Sequence, residues 1–162
     1  MTPNRRLKQA IVAQVQGSGV LRNYVAQDPT NSALVAFWGA RRQQQTPVYP
    51  AIAYRLTGRP EDRFTDVRVR NEAASVDIDS TVGSPLWVYR LEITVWDDRT
   101  NDLWSDAICD ELHRIFHNRS FPIDGGRCFK SELVSENRDQ YTDITNTWFS
   151  LMLFQMRVHL SI

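Results

Sequence analysis

The sequence contains little cysteine and no long apolar run. Cys109 and Cys128 are the only cysteines among 162 residues, and two distant thiols form neither a metal-ligand motif nor a disulfide framework. No apolar stretch reaches the roughly 18 residues that span a bilayer, and none follows the first basic residues as it does in a secretory leader. The sequence therefore predicts two reduced thiols in a cytosolic product that has no membrane partner.

Net charge is absent too, because 19 basic side chains balance 19 acidic ones. No global field would draw such a chain to nucleic acid or to an anionic membrane. Lysine is scarce, with Lys8 and Lys130 as the only examples, so nearly all basic residues are arginine. Arginine forms bidentate, partly desolvated pairs at interfaces more readily than lysine does, although a GC-rich coding sequence would explain the same bias.

Motifs for catalysis or cofactor binding are also missing. The sequence has no G-x-S-x-G nucleophile elbow, and Gly125-Gly126 lacks the predicted strand and helix that would flank a phosphate loop. His113 and His117 have the spacing of a helical metal pair, but Arg114 occupies the position of the zincin glutamate. We interpret both as surface or boundary histidines, and we expect no enzyme, no cofactor and no metal site.

The densest group of carboxylates lies around Asp97, Asp98 and Asp102, with Glu92 and Asp106 close by in sequence. A metal-dependent nuclease would need such a cluster. Acidic residues at a helix start also satisfy free N–H groups and the helix dipole. We favour the helix-start interpretation and keep a nuclease as a remote alternative.

Residues 86–118 predict one strand followed by one long helix. Between residues 87 and 96 apolar and polar side chains alternate, which is typical of a half-buried strand. Residues 97–102 end the strand and offer helix caps, after which apolar residues recur at helical spacing as far as Phe116. We expect the helix to pack on the strand face that carries Trp87, Tyr89, Leu91, Ile93 and Val95.

Shorter patterns lie on the amino-terminal side of this unit. A helix begins at Thr2-Pro3 and ends at residues 17–19. Short helices are predicted at residues 19–25 and 32–38. A strand then opens at Pro50, where a missing N–H costs little, and closes at residues 57–58.

The carboxyl-terminal part predicts two further strands. Residues 121–127 predict a turn, residues 129–136 a strand, and residues 137–146 a polar loop. The last strand covers Thr147 to Leu160, and its length favours a bend or a bulge. It opens with Trp148 and Phe149 in a stretch that is apolar on both faces, which is typical of a strand covered on both sides by protein or by a partner.

Residues 59–85 carry alternating charge and few large apolar side chains. Two strictly alternating segments within them predict an extended β-hairpin arm. Arg68 and Arg70 on one strand face either Asp77 and Asp79 on the other or opposite charges on a neighbouring copy. A ribbon this polar is not stable alone in water, so its own domain or a neighbouring subunit must support it.

These elements predict an α+β fold in one domain, residues 1–162. It has a mixed or antiparallel sheet, an N-terminal helix, one long helix packed on the sheet, and the protruding arm at about 59–85. This order resembles the tail-terminator, or tail-completion, proteins of long-tailed bacteriophages over roughly Leu7 to Leu160. The strand that ends in Val95-Trp96 and leads at once into the long helix carries most of the resemblance.

The resemblance implies a structural virion protein. Members of that family form a hexameric ring on the end of the tail tube, stop its growth, and give head-completion or neck proteins a surface to join. The implied partners are further copies of the chain, the major tail tube protein and the neck protein, with DNA passing through the lumen without specific binding. The implied location is the tail end of the virion, after assembly in the host cytoplasm.

The candidate interface residues are those of the arm and of the last strand. A ring needs contacts between unlike faces of one subunit, and the arm supplies one such face. Another head–tail joining protein, such as a connector, an adaptor or a minor tail component, is the alternative. The candidates are Arg68, Arg70, Asp77, Asp79, Trp148 and Phe149.

Overall fold

The structure of the protein is a computed structural model, and it describes residues 3–30, 32–34, 36–39, 48–63, 86–98, 102–144 and 146–160. Two α-helices, one 3-10 helix and six strands are found in these ranges. In chain order they are α1 (Pro3–Gln16), the 3-10 helix (Leu21–Asn23), β1 (Phe37–Gly39), β2 (Ala51–Arg63), β3 (Leu86–Asp97), α2 (Asp102–Phe116), β4 (Arg119–Ile123), β5 (Gly126–Thr142) and β6 (Thr147–Leu160).

The six strands form one mixed sheet in the order β1-β2-β3-β6-β5-β4. β1 runs parallel to β2, and all other neighbouring strands are antiparallel. Buried residues of α1 and α2 join those of one sheet face in a single core, so both helices lie on that face. The prediction of an α+β fold with an N-terminal helix and a long helix on the sheet is confirmed.

β3 and β6 form the centre of the sheet. They pair without interruption from Leu86 opposite His159 to Asp97 opposite Trp148. Successive side chains of a strand point to opposite faces, so only alternate residues reach the core. The buried core residues of the two strands are Tyr89, Leu91, Ile93 and Val95 of β3, and Met152, Phe154, Met156, Val158 and Leu160 of β6. The alternation predicted for both strands is confirmed.

The two helices cover this face with apolar residues at helical spacing. α1 buries Leu7, Ile11 and Val15, and α2 buries a stripe that ends in Phe116. The rings of Phe116 and Phe154 lie 5.5 Å apart between centroids. Full burial of a side chain of this size contributes about 1.5–3 kcal/mol, so these contacts fix the helices on the sheet.

The helix predicted at residues 32–38 is wrong. Leu34 forms an isolated antiparallel bridge with Gln27, and Phe37 begins β1 in register with Ile52 of β2. The Phe37 ring stacks on Tyr54 at a centroid distance of 5.1 Å. Pairing with a strand more than ten residues away outweighs local helix propensity here. The short helix predicted at residues 19–25 is present as the 3-10 helix Leu21–Asn23.

Three predicted boundaries around strands are also wrong. β2 continues beyond Gly58 to Arg63. The predicted turn at residues 121–127 overlaps the second part of β4, and the turn itself is confined to the link between β4 and β5, where Gly125 has a φ of 71°. Most of the predicted polar loop at residues 137–146 belongs to β5. Pairing with β6 satisfies this backbone, so its polar side chains do not prevent a strand.

A bend or a bulge was predicted for the last strand, and the bulges lie in its partner instead. β5 has 17 residues and pairs with the 14 residues of β6. The register shifts after Cys128, after Leu133 and after Asn137, so β5 takes up one extra residue at each position. A bulge bends a strand and increases its twist, so the bending expected of the last strand falls on β5.

Candidate assembly surface

The sheet face opposite the helices is the main candidate surface. On β3 and β6 the residues between the core positions point to this outer face. Phe149 lies opposite Trp96, Leu151 opposite Thr94, and Leu153 opposite Glu92. Within the part of the chain that the structure describes, both α-helices lie on the other face.

An apolar patch lies on the outer face near the end of β3 and the start of β6. We name it the outer patch. The Trp96 and Phe149 rings lie 5.2 Å apart, and all members of the patch are half-buried by their neighbours. Adjacent apolar side chains that keep surface towards solvent are typical of interaction sites. The outer patch consists of Trp96, Phe149, Leu151 and Leu153.

Trp148 and Phe149, predicted together as interface residues, lie on opposite faces of the sheet. Phe149 belongs to the outer patch. Trp148 contacts Tyr141 of β5, with 5.1 Å between ring centroids, and the Tyr141 hydroxyl donates a hydrogen bond to Asn146 Oδ1. The two residues therefore belong to different surfaces, one on the sheet face and one at the β5–β6 turn.

The β5–β6 turn presents an apolar residue that the sequence analysis did not single out. The Ile144 side chain is 94% exposed, and Tyr141 next to it is 48% exposed. This aliphatic side chain at the turn adds nothing to the core of its own subunit, and with Tyr141 it leaves apolar surface exposed to solvent.

The four charged candidates of the predicted arm, Arg68, Arg70, Asp77 and Asp79, lie outside the described residues. The predicted pairing of arginine with aspartate, within the arm or between copies, stays a prediction.

Arg138 ties the bulged part of β5 to α2. Its guanidinium donates hydrogen bonds to Glu136 (2.6 Å), Asp106 (3.1 Å) and Asp110 (2.7 Å). Partial burial alone would lower the pKa of Arg138, but these three carboxylates raise it above its usual value. The planar guanidinium has five N–H donors in a rigid fork, which suits three carboxylates better than the three donors of a compact lysine ammonium do.

Glu111 holds the start of the α1–β1 connection against α2. Its carboxylate is 5% exposed, accepts a hydrogen bond from Ser18 Oγ at 2.8 Å, and accepts two from Arg114. The Arg114 bonds hold the pKa of Glu111 below its usual range, burial opposes them, and the Ser18 bond supports them. Ser18 Oγ also accepts the Leu21 N–H, which orients the 3-10 helix.

The residues considered for metal chemistry do not converge. Asp97 is buried at the end of β3 whereas Asp98 is exposed, and His113 and His117 are half-buried beside each other, as predicted. His117 Nδ1 accepts the Leu133 N–H at 3.1 Å, so it satisfies a backbone donor at the second β5 bulge. In the described ranges no three His, Cys, Asp or Glu residues are grouped to hold a metal.

The two cysteines and the helices add no further site. Burial raises the pKa of both Cys109 and Cys128 to about 12, which keeps them protonated at neutral pH. None of the helices in the described part of the chain is long and apolar enough to cross a membrane.

Comparison with known proteins gives a similarity of fold. No protein-family model and no curated protein sequence matches this sequence. A chain in the solved structure of the virion of a native gene transfer agent particle has a similar structure, with a TM-score of 0.67 and 13% sequence identity. The match covers 96% of this chain and 96% of that chain. At this identity the two chains share a fold.

Proposed function

We propose that this protein is a structural virion protein that caps the phage tail tube as a ring. In this role it ends tail elongation and provides the surface to which the head or neck attaches. The fold shared with a chain of a gene transfer agent virion, over 96% of both chains, carries the proposal. The order of elements, which resembles the tail-terminator family, supports the role at the tail end.

The proposed partners follow from this role. Six copies form the ring, each as one domain of residues 1–162 with its arm at about 59–85. One side of the ring meets the major tail tube protein, and the other meets the head-completion or neck protein. DNA passes through the lumen without specific binding, and the ring resides at the tail end of the virion.

Two surfaces in the described residues support assembly rather than catalysis. The outer patch centred on Phe149 and Leu151 is apolar and half-buried, and Ile144 is exposed at the β5–β6 turn. These surfaces are unlike each other and lie on different parts of the subunit. Heterologous contacts, which form a ring when the rotation between copies closes, need unlike surfaces on each copy.

Assembly of tail tubes in the presence of the protein tests the proposal. Tube protein encoded in the same genome is polymerised with and without the purified chain, and tube lengths are measured by electron microscopy. The proposal predicts shorter tubes, each with a ring at one end. The variant Leu151→Asp places a charge in the outer patch, and tubes grown with it should be as long as tubes grown without the protein. Lys8→Glu on α1 should shorten tubes as the wild type does. Wild-type protein that neither binds tube ends nor shortens tubes contradicts the proposal.

A binding experiment separates the proposed role from that of another head–tail joining protein. Immobilised protein is incubated with tail tube protein and, separately, with portal or adaptor protein. A tail terminator retains the tube protein, and a connector or adaptor retains the portal-side protein. Retention of portal-side protein alone would assign the chain to the other joining class.

A further inference from the structure

In the described residues the two ends of the sheet carry opposite charge. At one end of the sheet, β3 and β5 end and β6 and α2 begin, and we name it the acidic end. At the opposite end, β5 begins and α2 and β6 end, and we name it the basic end. The direction of α2 is fixed by its contacts, because Asp106 meets Arg138 and His117 meets Leu133.

Acidic residues dominate one end and basic residues the other, although the chain as a whole is neutral. Apart from the buried Asp97, the charged side chains that the structure describes at the acidic end are Asp98, Asp106, Asp110, Glu136, Arg138, Asp139 and Asp143. Those of the basic end are Arg90, Glu111, Arg114, Arg119, Asp124, Arg127, Lys130, Glu132 and Arg157.

The ion pairs of Arg138, within the described part of the chain, do not cancel this separation. Arg138 is shared by Asp106, Asp110 and Glu136, so one positive charge faces three negative ones. Asp98 and Asp143 add exposed negative charge at the same end. Like charges gathered on one surface repel one another, and an opposite surface on a partner relieves that repulsion.

Each end also carries an exposed apolar side chain among its charges. At the acidic end Ile144 is 94% exposed, and at the basic end Phe129 is 42% exposed. An apolar centre with a charged rim is the usual composition of a protein–protein interface. The ends are thus complementary to each other in charge and similar in their apolar content.

We propose that the acidic end of one copy docks on the basic end of the next copy. The occupant of each surface is a second copy of this chain, because one molecule presents both complementary charges. Charge complementarity fixes which surfaces meet and speeds their encounter, and a contact between unlike ends is heterologous. This inference rests on the proposed ring and specifies the contact that builds it.

Reversing the charge of each end separately tests this contact. Variant A is Asp98→Arg with Asp143→Arg, and variant B is Arg119→Glu with Arg127→Glu; all four positions are exposed. Each variant alone should self-associate about 100-fold more weakly than the wild type by sedimentation, because like charges then face each other. Lys8→Glu in the helical layer is the control and should associate as the wild type does.

Mixing the two variants completes the test. In an equal mixture the reversed acidic end of A faces the reversed basic end of B, so association should return, with A and B present in equal number by native mass spectrometry. The restored association also shows that both variants are folded. Normal association of either variant alone, or no recovery on mixing, overturns the inference. If such variants still cap tail tubes as rings, the proposed function stands and this contact is wrong; a wild type that never self-associates overturns both.

Discussion

The rings of Trp96 and Phe149 lie side by side on the outer face of the sheet, 5.2 Å apart and inclined by 41°. They are directly opposite each other on β3 and β6, and each shields part of the other from water. Five residues further along β6, Phe154 is fully buried against the helices. One strand therefore carries an aromatic residue that holds the fold and another that is accessible to a partner.

Alanine substitution should separate these two roles. Phe154→Ala leaves a cavity in the core and should lower the free energy of unfolding by about 3–5 kcal/mol. Phe149→Ala removes a half-buried side chain and an aromatic pair that contributes about 0.5–1.5 kcal/mol, so it should lower the free energy of unfolding by less. Urea unfolding measures both free energies, and Phe149→Ala should weaken the capping of tail tubes while the subunit stays folded. Equal destabilisation by the two substitutions would show that the outer face is part of the core.

Gly58 is required by the ring of Tyr89. The two residues are opposite each other on β2 and β3, and a Cβ on Gly58 would lie 2.1 Å from Tyr89 Cδ1. Gly58→Ala must displace the ring and should lower stability by about 1–3 kcal/mol. Gly19→Ala is the matched control, since nothing lies within 4 Å of its Cβ position. In a thermal unfolding series, Gly58→Ala should lower stability much less when Tyr89 has already been replaced by alanine. An equal loss of stability in both backgrounds would contradict this explanation.

Glu111 should make stability depend on pH. Hydrogen bonds from Arg114 lower its pKa in the folded state, against the effect of burial, and Ser18 adds to them. A carboxylate with a depressed folded pKa contributes stability above its unfolded pKa of about 4.3, and loses it as pH falls further, through the folded pKa. Urea midpoints should therefore decline below about pH 4.3, and Glu111→Gln should be less stable at pH 7 with a flatter acid decline. An unaltered decline in Glu111→Gln would assign the pH dependence to other groups.

Cys109 and Cys128 should not react in the folded protein. Both thiols are fully buried, and burial raises their pKa to about 12, so little thiolate is present at pH 8. A thiol-specific chromogenic reagent should label neither cysteine in buffer and both in denaturant. Rapid labelling of one cysteine under native conditions would indicate local opening at that position, at α2 for Cys109 or at the first β5 bulge for Cys128.

The sequence predicted those strands whose partners impose a regular pattern. β3 and β6 have one buried face, so alternation alone locates them and gives their core residues. β1 has three residues and is held by Ile52, far along the chain, so no local pattern indicates it. The polar half of β5 resembles a loop in composition because its strand pairing, unlike side-chain burial, leaves no trace in the sequence.

The candidate surface was predicted in part. The stretch that is apolar on both faces pointed to Phe149, which lies in the outer patch. The same alternation that located the core would have assigned Trp148 to the other face. Ile144 was missed because a single apolar residue in a polar turn is common in sequences, and only its 94% exposure distinguishes it.

Electron cryo-microscopy of the intact virion tests the central claim most directly. A map that resolves side chains would allow this chain to be traced by its large residues, including Trp96 and Phe149. The proposal predicts a ring of copies between the tail tube and the neck, with a lumen wide enough for DNA. Location of the chain anywhere else in the particle, or its absence from the particle, would contradict the claim.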